Sequence, residues 1–379
     1  MAMDGPALDD AALMRLRGPA PSHYAPVFPD LTIIDGLPEP ARIYVALPNW
    51  VGDVVMCTPA MRALRIRFPA AQIVAQGKGY LAELVVDSGL VDEFIPAPDK
   101  GLGATWRAAR ALRARGFDWA ILFAESERAA LLAAMARIPV RAGYFHTWAR
   151  QRLLTHGVSR VRSTTGALAR FSMIERYLII SRCLGAPDEG DEMACPVPAA
   201  RKEELDARLD AAGIGAAAPL LSLVIGAASG SAKAWPATAF SEAADRLHDE
   251  LGWVSVIAPG PGEEELARQV VRSARTRIVL LTEPTLSLGG LAALLARSTF
   301  ALTNDTGPRS MAVALGVPLV ALVGPTDEAF TRHHLERQTV LTSDVACRPC
   351  HRDTCPVDHR CMTGITPEAV VSAAMALMG

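Results

Sequence analysis

The sequence lacks a long apolar run and lacks an N-terminal export signal. No stretch of the 379 residues approaches the roughly 20 apolar residues that a membrane span needs. The N-terminus does not place a charged segment before an apolar one, as a signal peptide would. These two absences predict a cytoplasmic protein.

The sequence also lacks a large net charge of either sign. Lys and Arg number 38 against 40 Asp and Glu, so the formal charge is -2 and gives no support to non-specific nucleic-acid binding. Half of the residues are hydrophobic, which is ample for the cores of about two domains. The seven cysteines suit the cytoplasm as reduced thiols or metal ligands, since structural disulfides are rare there.

The chain reads as an extension followed by two α/β domains. Residues 1–39 are rich in Ala, Pro and Asp, and we expect a partly disordered extension with one short helix at 11–17. Strands alternate with helices over 40–190 and again over 191–379, with a Pro- and acid-rich link at 186–198 between them. This spacing predicts two Rossmann-like, doubly wound domains facing a central cleft. Among the helices, we predict 54–68, 80–87, 165–184 and 309–315.

A βαβ unit over residues 300–323 carries a turn that is suited to an anion. Asp305, Thr306 and Gly307 follow its first predicted strand and lead into the helix at 309–315. Free N–H groups and the positive dipole end at such a helix start bind phosphate or diphosphate. The alternative is an ordinary helix cap, because Asp and Thr cap many helices that bind nothing.

A second loop, residues 226–236, follows the first strand of the second half. Its small residues admit a ligand to the backbone, and Lys233 supplies a point charge. The loop is neither a P-loop nor a dinucleotide fingerprint. A flexible surface loop with a solvated lysine is the alternative.

The pair Gly52-Asp53 lies between the first strand and the first long helix. Its glycine allows a close turn, and the carboxylate of Asp53 projects from the carboxyl edge of the sheet. A carboxylate there either caps the helix or acts as a general base.

Together these motifs resemble the heptosyltransferase family of GT-B glycosyltransferases, most closely its heptosyltransferase II branch. The resemblance covers about residues 42–378. Its matching stretches are LPNWVGDVVMCTPAMRALRIRFP, FAESERAALLAAMARIPVRAGY, GAASGSAKAWP, LTNDTGPRSMAVALGVPLVALVGPTDEAFT and CRPCHRDTCPVDHRCMTGITPEAVV.

The resemblance implies an inverting transfer of heptose from ADP-heptose to the inner core of lipopolysaccharide, without a catalytic metal or other required cofactor. Asp53 would be the general base, and Lys233 would steady the leaving diphosphate. The Asp305-Thr306-Gly307 turn would hold the nucleotide sugar. The residues agree, because the chain has no Asp-x-Asp metal motif and must offset the leaving charge with a lysine and a helix dipole.

Further residues are assigned within this framework. We expect Ser231, Glu283 and Ser310 to join the donor site, with Glu283 near a ribose hydroxyl. A surface glutamate is the alternative for Glu283. Ser310 stands where the family usually has histidine, and a serine cannot carry the imidazolium charge. The acceptor, a lipid A-core oligosaccharide, implies peripheral contact with the cytoplasmic face of the inner membrane, although the sequence shows no evident amphipathic anchor. Its expected contacts are Arg107, Arg110 and Arg128.

Four cysteines, in the Cys-rich segment 347–361, have a spacing that could close a tetrahedral zinc site. Buried free thiols are the alternative, since the spacing is not that of a standard paired-knuckle site. The four are Cys347, Cys350, Cys355 and Cys361.

Three other functions stay open at this point. Ser310 leaves room for a transferase with a different nucleotide-sugar donor, or for a non-catalytic homologue that binds a nucleotide sugar or a glycan. A sugar-nucleotide epimerase fits the tandem Rossmann layout but lacks support from the specific motifs.

Overall fold

The structure of the protein is a computed structural model that describes residue 34 and residues 36–158, 172–227 and 230–379. The predicted extension, with its helix at 11–17, lies almost wholly outside these ranges, as do the start of the predicted helix 165–184 and two residues of the loop 226–236. The chain divides into two compact units, the first ending at Pro196 and the second beginning at Val197.

The first unit is built on a six-stranded parallel sheet in the order β3-β2-β1-β4-β5-β6. Its central strands β1 and β4 are almost fully buried, as expected when helices cover both faces of a parallel sheet. The strands are β1 Arg42–Ala46, β2 Gln72–Gly77, β3 Glu93–Pro96, β4 Trp119–Leu122, β5 Val140–Tyr144 and β6 His156–Val158.

The helices of the first unit differ from prediction in two places. The predicted helix 54–68 is two helices that meet at Cys57, and Pro59 explains the break because proline lacks an N–H and favours the first turn of a new helix. The predicted helix 80–87 is a pair of 3-10 turns. The helices are α1 Val51–Met56, α2 Thr58–Arg67, α3 Leu102–Ala114, α4 Glu127–Met135, α5 Trp148–Leu153 and α6 Met173–Cys183.

The second unit repeats this architecture, with a parallel sheet in the order β12-β11-β10-β7-β8-β9. Its strands are β7 Leu220–Val224, β8 Val254–Ile257, β9 Ile278–Leu280, β10 Phe300–Asn304, β11 Leu319–Leu322 and β12 Gln338–Leu341. Its helices are α7 Ala199–Ala211, α8 Ala237–Leu251, α9 Glu264–Ser273, α10 Leu288–Arg297, α11 Gly307–Ala314, α12 Arg360–Thr363 and α13 Pro367–Met378.

The core of the second unit is rich in aromatic side chains. The rings of Trp253 and Phe300 stack with centroids 5.1 Å apart, and Trp235 meets Phe240 edge to face at 5.0 Å. Such pairs add to the free energy that burial of their apolar area contributes. The predicted α/β class with two doubly wound units is confirmed.

Within the described ranges, we find no helix with the length and apolar character to span a bilayer.

Candidate functional site

The turn between β10 and α11 is built differently from the prediction. The helix begins at Gly307, two residues before the expected start, so that Thr306 takes the position of the cap. The Thr306 hydroxyl makes no capping bond to the helix and instead donates to the main-chain oxygen of Asn304 at 3.4 Å. The first turn of a helix has N–H groups without acceptors inside that helix, which keeps this turn suited to an anion.

The carboxylate of Asp305 is buried and held from both sides. Arg309 donates to Oδ1 at 2.8 Å, and the hydroxyl of Thr326 donates to Oδ2 at 2.5 Å. Nζ of Lys233 lies 3.8 Å from Oδ2 and donates to the main-chain oxygen of Asp305 at 3.0 Å. Burial alone would raise the pKa of Asp305, but the charges of Arg309 and Lys233 outweigh it, and the pKa lies below its usual value. Lys233 and the predicted anion turn therefore form one cluster.

Arg309 is a central residue of this cluster that the sequence analysis did not identify. Its side chain is 1% exposed. Besides Asp305, it donates to Oε1 of Gln338 at 2.9 Å and to the hydroxyl of Thr331 at 2.9 Å. The planar guanidinium thus joins the turn to the segment that precedes β12. The spacing of Asp305 and Arg309, four residues apart across a helix start, was the available signal.

Asn304, which the sequence analysis also missed, fixes the loop that carries Lys233. Its amide donates to the carbonyls of Ile225 at 2.8 Å and Gly226 at 3.2 Å. Its side-chain oxygen accepts from the main-chain N–H of Trp235 at 3.3 Å. The end of β10 therefore holds both ends of the loop.

The remaining predicted donor residues occupy different environments. Ser231 is exposed in the 3-10 turn Ser231–Lys233, close to the cluster in sequence. Ser310 is buried behind the helix start, and Glu283 is exposed after the edge strand β9. Glu263, which we did not predict, lies against the start of the loop that carries Lys233. A Cβ added at Gly226 would fall 2.0 Å from Oε1 of Glu263.

His333 lies beside the cluster as a buried, neutral imidazole. It is 6% exposed, and neither ring nitrogen has a hydrogen-bond partner in the described parts of the chain. Burial, with the charges of Arg309 and His334, lowers its pKa to about 3. The cluster thus has a histidine beside it, His333, although position 310, where the family usually has histidine, is a serine.

In the first unit, Asp53 lies in the first turn of α1, directly beyond the carboxyl end of β1. It is half-buried. Burial raises the pKa of Tyr177 and of Cys57, and the negative charge of Asp53 raises both further. The carboxylate therefore lies close to these two side chains and at the edge of the sheet where ligands of this fold class bind.

The predicted acceptor arginines divide into two kinds. Arg107 and Arg110 are exposed on α3. Arg128 is instead engaged within the unit, where it donates to the carbonyls of Pro98, at 3.0 Å, and Asp99. It positions the loop that leads into α3.

The Cys-rich segment packs against the loop of Lys233. The main-chain oxygen of Asp353 accepts from Ala232 N–H at 3.0 Å, and the ring of His359 lies 2.7 Å from the Ala232 carbonyl oxygen. Burial, together with the charges of the other three cysteines, raises the pKa of Cys361 to about 11, so those thiols lie near Cys361. Over residues 36–158, 172–227 and 230–379, no three His, Cys, Asp or Glu side chains are arranged to hold a metal ion.

Two Rossmann-like units, one with a lysine at a helix-start turn and the other with a carboxylate beyond a central strand, define a glycosyltransferase of GT-B architecture. The comparison with known families agrees. The model of glycosyltransferase family 9 (heptosyltransferase) matches residues 105–360, which is more than half of the chain. The protein belongs to this family.

Individual relatives match along nearly their whole length. Lipopolysaccharide heptosyltransferase 2 of Escherichia coli K12 is 26% identical over 351 residues, covering 89% of this chain and 98% of the relative. A family 9 glycosyl transferase from Veillonella parvula has a TM-score of 0.76 at 25% identity, covering 89% of this chain and 97% of that structure. The E. coli ADP-heptose lps heptosyltransferase II structure has a TM-score of 0.73 at 26% identity, covering 89% and 98%.

Proposed function

We propose that this glycosyltransferase moves heptose from ADP-heptose to the inner core of lipopolysaccharide, with inversion and without a catalytic metal. The names of two relatives, an ADP-heptose lps heptosyltransferase II and a lipopolysaccharide heptosyltransferase 2, support the donor and the acceptor. The observation that carries the proposal is the placement of Lys233 against the Asp305 turn.

The cluster offers positive charge where a diphosphate leaves. Arg309 offsets the carboxylate of Asp305, so the charge of Lys233 is left to act on a ligand. An ammonium has three donors, and one of those on Lys233 is used on the Asp305 carbonyl. The other two, with the N–H groups at the start of α11, stabilise the charge that develops as ADP departs.

The transfer also needs a base that removes the proton from the acceptor hydroxyl. Asp53 takes the proton from the acceptor hydroxyl as its oxygen forms a bond to the anomeric carbon, while the bond from that carbon to the diphosphate breaks. A single displacement of this kind inverts the configuration. The half-buried position of Asp53 beyond β1 supports this role. A base positioned in this way typically raises the reaction rate about 10²–10⁴-fold.

The donor and acceptor residues complete the proposal. Ser231, Thr306 and Gly307 contact the donor from the loop and the turn. Ser310 is assigned to the donor site through the family likeness, and Glu283 through its position after β9. Arg107 and Arg110 meet phosphates of the core oligosaccharide from their exposed positions on α3. Arg128 serves the same surface by holding the loop before α3.

Calorimetric titration with ADP, UDP and GDP tests the donor assignment. We expect ADP-selective binding that Lys233→Ala weakens about tenfold or more, the loss of one charge-assisted contact. Lys202→Ala, which removes an exposed lysine on α7 in the same unit, is the matched control. Equal binding by both variants would remove Lys233 from the donor site.

A different nucleotide-sugar donor is the second candidate function, and Ser310 is the observation that favours it. Preference for UDP or GDP in the same titration would establish this alternative. Binding without transfer or hydrolysis of the donor would instead indicate a non-catalytic homologue.

A structural zinc at the four cysteines remains a prediction. Their spacing within one short segment supports it, and the site would stabilise the segment that packs on Ala232. Elemental analysis of the untagged protein, compared with Cys347→Ser/Cys350→Ser, tests it. Zinc below one equivalent in the wild-type protein would contradict the prediction.

A further inference from the structure

Helix α3 exposes an apolar and basic surface. Leu102 is 84% exposed and Trp106 is 55% exposed, whereas most large apolar side chains of the chain are buried. Three exposed arginines follow along the helix, and the sequence of α3, LGATWRAARALRA, contains no acidic residue. We call Leu102, Trp106, Arg107, Arg110 and Arg113 the α3 surface.

The orientation of α3 is fixed by a buried face that adjoins the exposed one. Thr105, Ala109 and Leu112 are buried against the unit. Residues 102, 106, 110 and 113 are spaced by four, four and three, which places them in one stripe along the helix. The guanidinium of Arg110 lies 5.8 Å from the ring centroid of Trp106, so the apolar and charged parts form one continuous surface.

The start of α3 is also held firmly. Arg128 bonds to the loop before it and lies 3.4 Å from the hydroxyl of Thr105. The neighbouring acidic residues Asp99 and Glu127 are exposed, but Lys100 and the three arginines exceed them, so the surface is net positive.

A second aromatic and basic pair occurs at the same edge of the sheet. Trp148, which is 70% exposed, begins α5 after β5, and Arg152 lies 4.7 Å from its ring. Because parallel strands end at one edge, the loops that lead into α3 and α5 lie on the same side of the unit. Arg150, two residues after Trp148, donates to the carbonyl of Ser126 and so joins α5 to the loop before α4.

Exposed leucine and tryptophan with arginine neighbours match the interface of an anionic bilayer. The apolar side chains enter the boundary between headgroups and acyl chains, and the arginines stay at the level of the lipid phosphates. A soluble phosphorylated sugar would account for the arginines but leaves Leu102 without a partner. We infer that the α3 surface docks the enzyme on an anionic lipid bilayer. The inference rests on the proposed function, in which the acceptor is anchored in a membrane by lipid A.

Sedimentation of the full-length protein with vesicles tests the inference without donor or acceptor. We expect binding to vesicles of equal parts phosphatidylcholine and phosphatidylglycerol, and much weaker binding to phosphatidylcholine alone. Leu102→Ser/Trp106→Ser should weaken binding about tenfold. Arg107→Ser/Arg110→Ser should weaken it roughly 25-fold, about fivefold for each charge near the surface.

Matched controls come from the second unit. Leu335→Ser and Arg268→Ser remove an exposed apolar side chain and an exposed arginine there, and we expect both variants to bind as the wild-type protein does. Binding that is absent in the wild-type protein, or unchanged in the α3 variants, would overturn the inference. So would full competition by inorganic phosphate at constant ionic strength, because it would indicate a soluble phosphate ligand.

Activity separates this inference from the proposed function. Leu102→Ser/Trp106→Ser should keep the wild-type rate on a lipid-free core oligosaccharide while losing vesicle binding. Loss of both would place these side chains in the acceptor site and overturn the docking role. A wild-type protein that binds vesicles but transfers no heptose would overturn the proposed function alone.

Discussion

Removal of Arg309 should destabilise the second unit by about 3 kcal/mol, because breaking a buried ion pair from one side leaves a buried charge. Arg309→Met removes the 2.8 Å contact to Asp305 and the bonds to Gln338 and Thr331. We take the lower end of the usual range, about 3–5 kcal/mol, because Thr326 and Lys233 still face the carboxylate.

Hydrogen exchange of the β10 and β11 amides is the appropriate assay. A chain of two units need not unfold in one step, and these strands report the second unit directly. Arg268→Met is the matched control, since Arg268 makes an exposed 3.5 Å contact with Glu265 that should contribute well under 1 kcal/mol.

A double-mutant cycle sharpens the test. Asp305→Asn combined with Arg309→Met removes both charges. The double variant should therefore lose about 1–3 kcal/mol less stability than the sum of the losses in the two single variants. Arg309→Lys should lose about 1–2 kcal/mol, because an ammonium keeps the charge but not the planar fork. If Arg309→Met lost no more stability than Arg268→Met, or if the cycle showed no coupling, the assigned role would be wrong.

Three further predictions follow from the site. Asp53→Asn should lower kcat about 10²-fold or more while ADP binding stays unchanged, and near-normal turnover would reject the base assignment. Lys233→Ala should lower both kcat and ADP affinity. An effect on kcat alone would mean that Lys233 does not contact ADP in the ground-state complex. With the pKa of His333 at about 3 instead of 6.5, the unfolded chain takes up a proton that the folded protein does not. Acidification from about pH 6.5 to about pH 4 should therefore remove roughly 3 kcal/mol of stability, and His333→Gln should flatten that part of the hydrogen-exchange profile.

The sequence predicted the alternating α/β units and the residues at the ends of their central strands. Long periodic segments such as α8 and buried runs such as β10 carry strong local signals. The edge strands β6 and β12 escaped prediction because three or four half-buried residues show no clear alternation. The break at Cys57 is signalled in the sequence by Pro59, because proline interrupts a continuous helix and favours the first turn of a new one.

Partnerships between distant residues could not be read from local pattern. The motif Asp305-Thr306-Gly307 predicts a ligand turn from local sequence, but Thr326 lies 21 residues away from Asp305 and Lys233 lies 72 residues away. Only the sheet order, with β10 between β7 and β11, brings their loops together. A charged residue such as Arg309 also reads as solvent-exposed until its partners are known.

The charge balance of the cluster makes a buried aspartate compatible with the proposed anionic donor. A bare carboxylate beside a diphosphate would repel it, so Asp305 needs a counter-charge that the ligand does not contact. Arg309 meets this need because it is buried and bonded to Asp305, Gln338 and Thr331. A protonated His333 would add another positive charge, but its burial beside Arg309 keeps the ring neutral near pH 7. In the proposed function, the charge of Lys233 is thereby left to act on the donor, and the carboxylate positions that lysine without opposing its role.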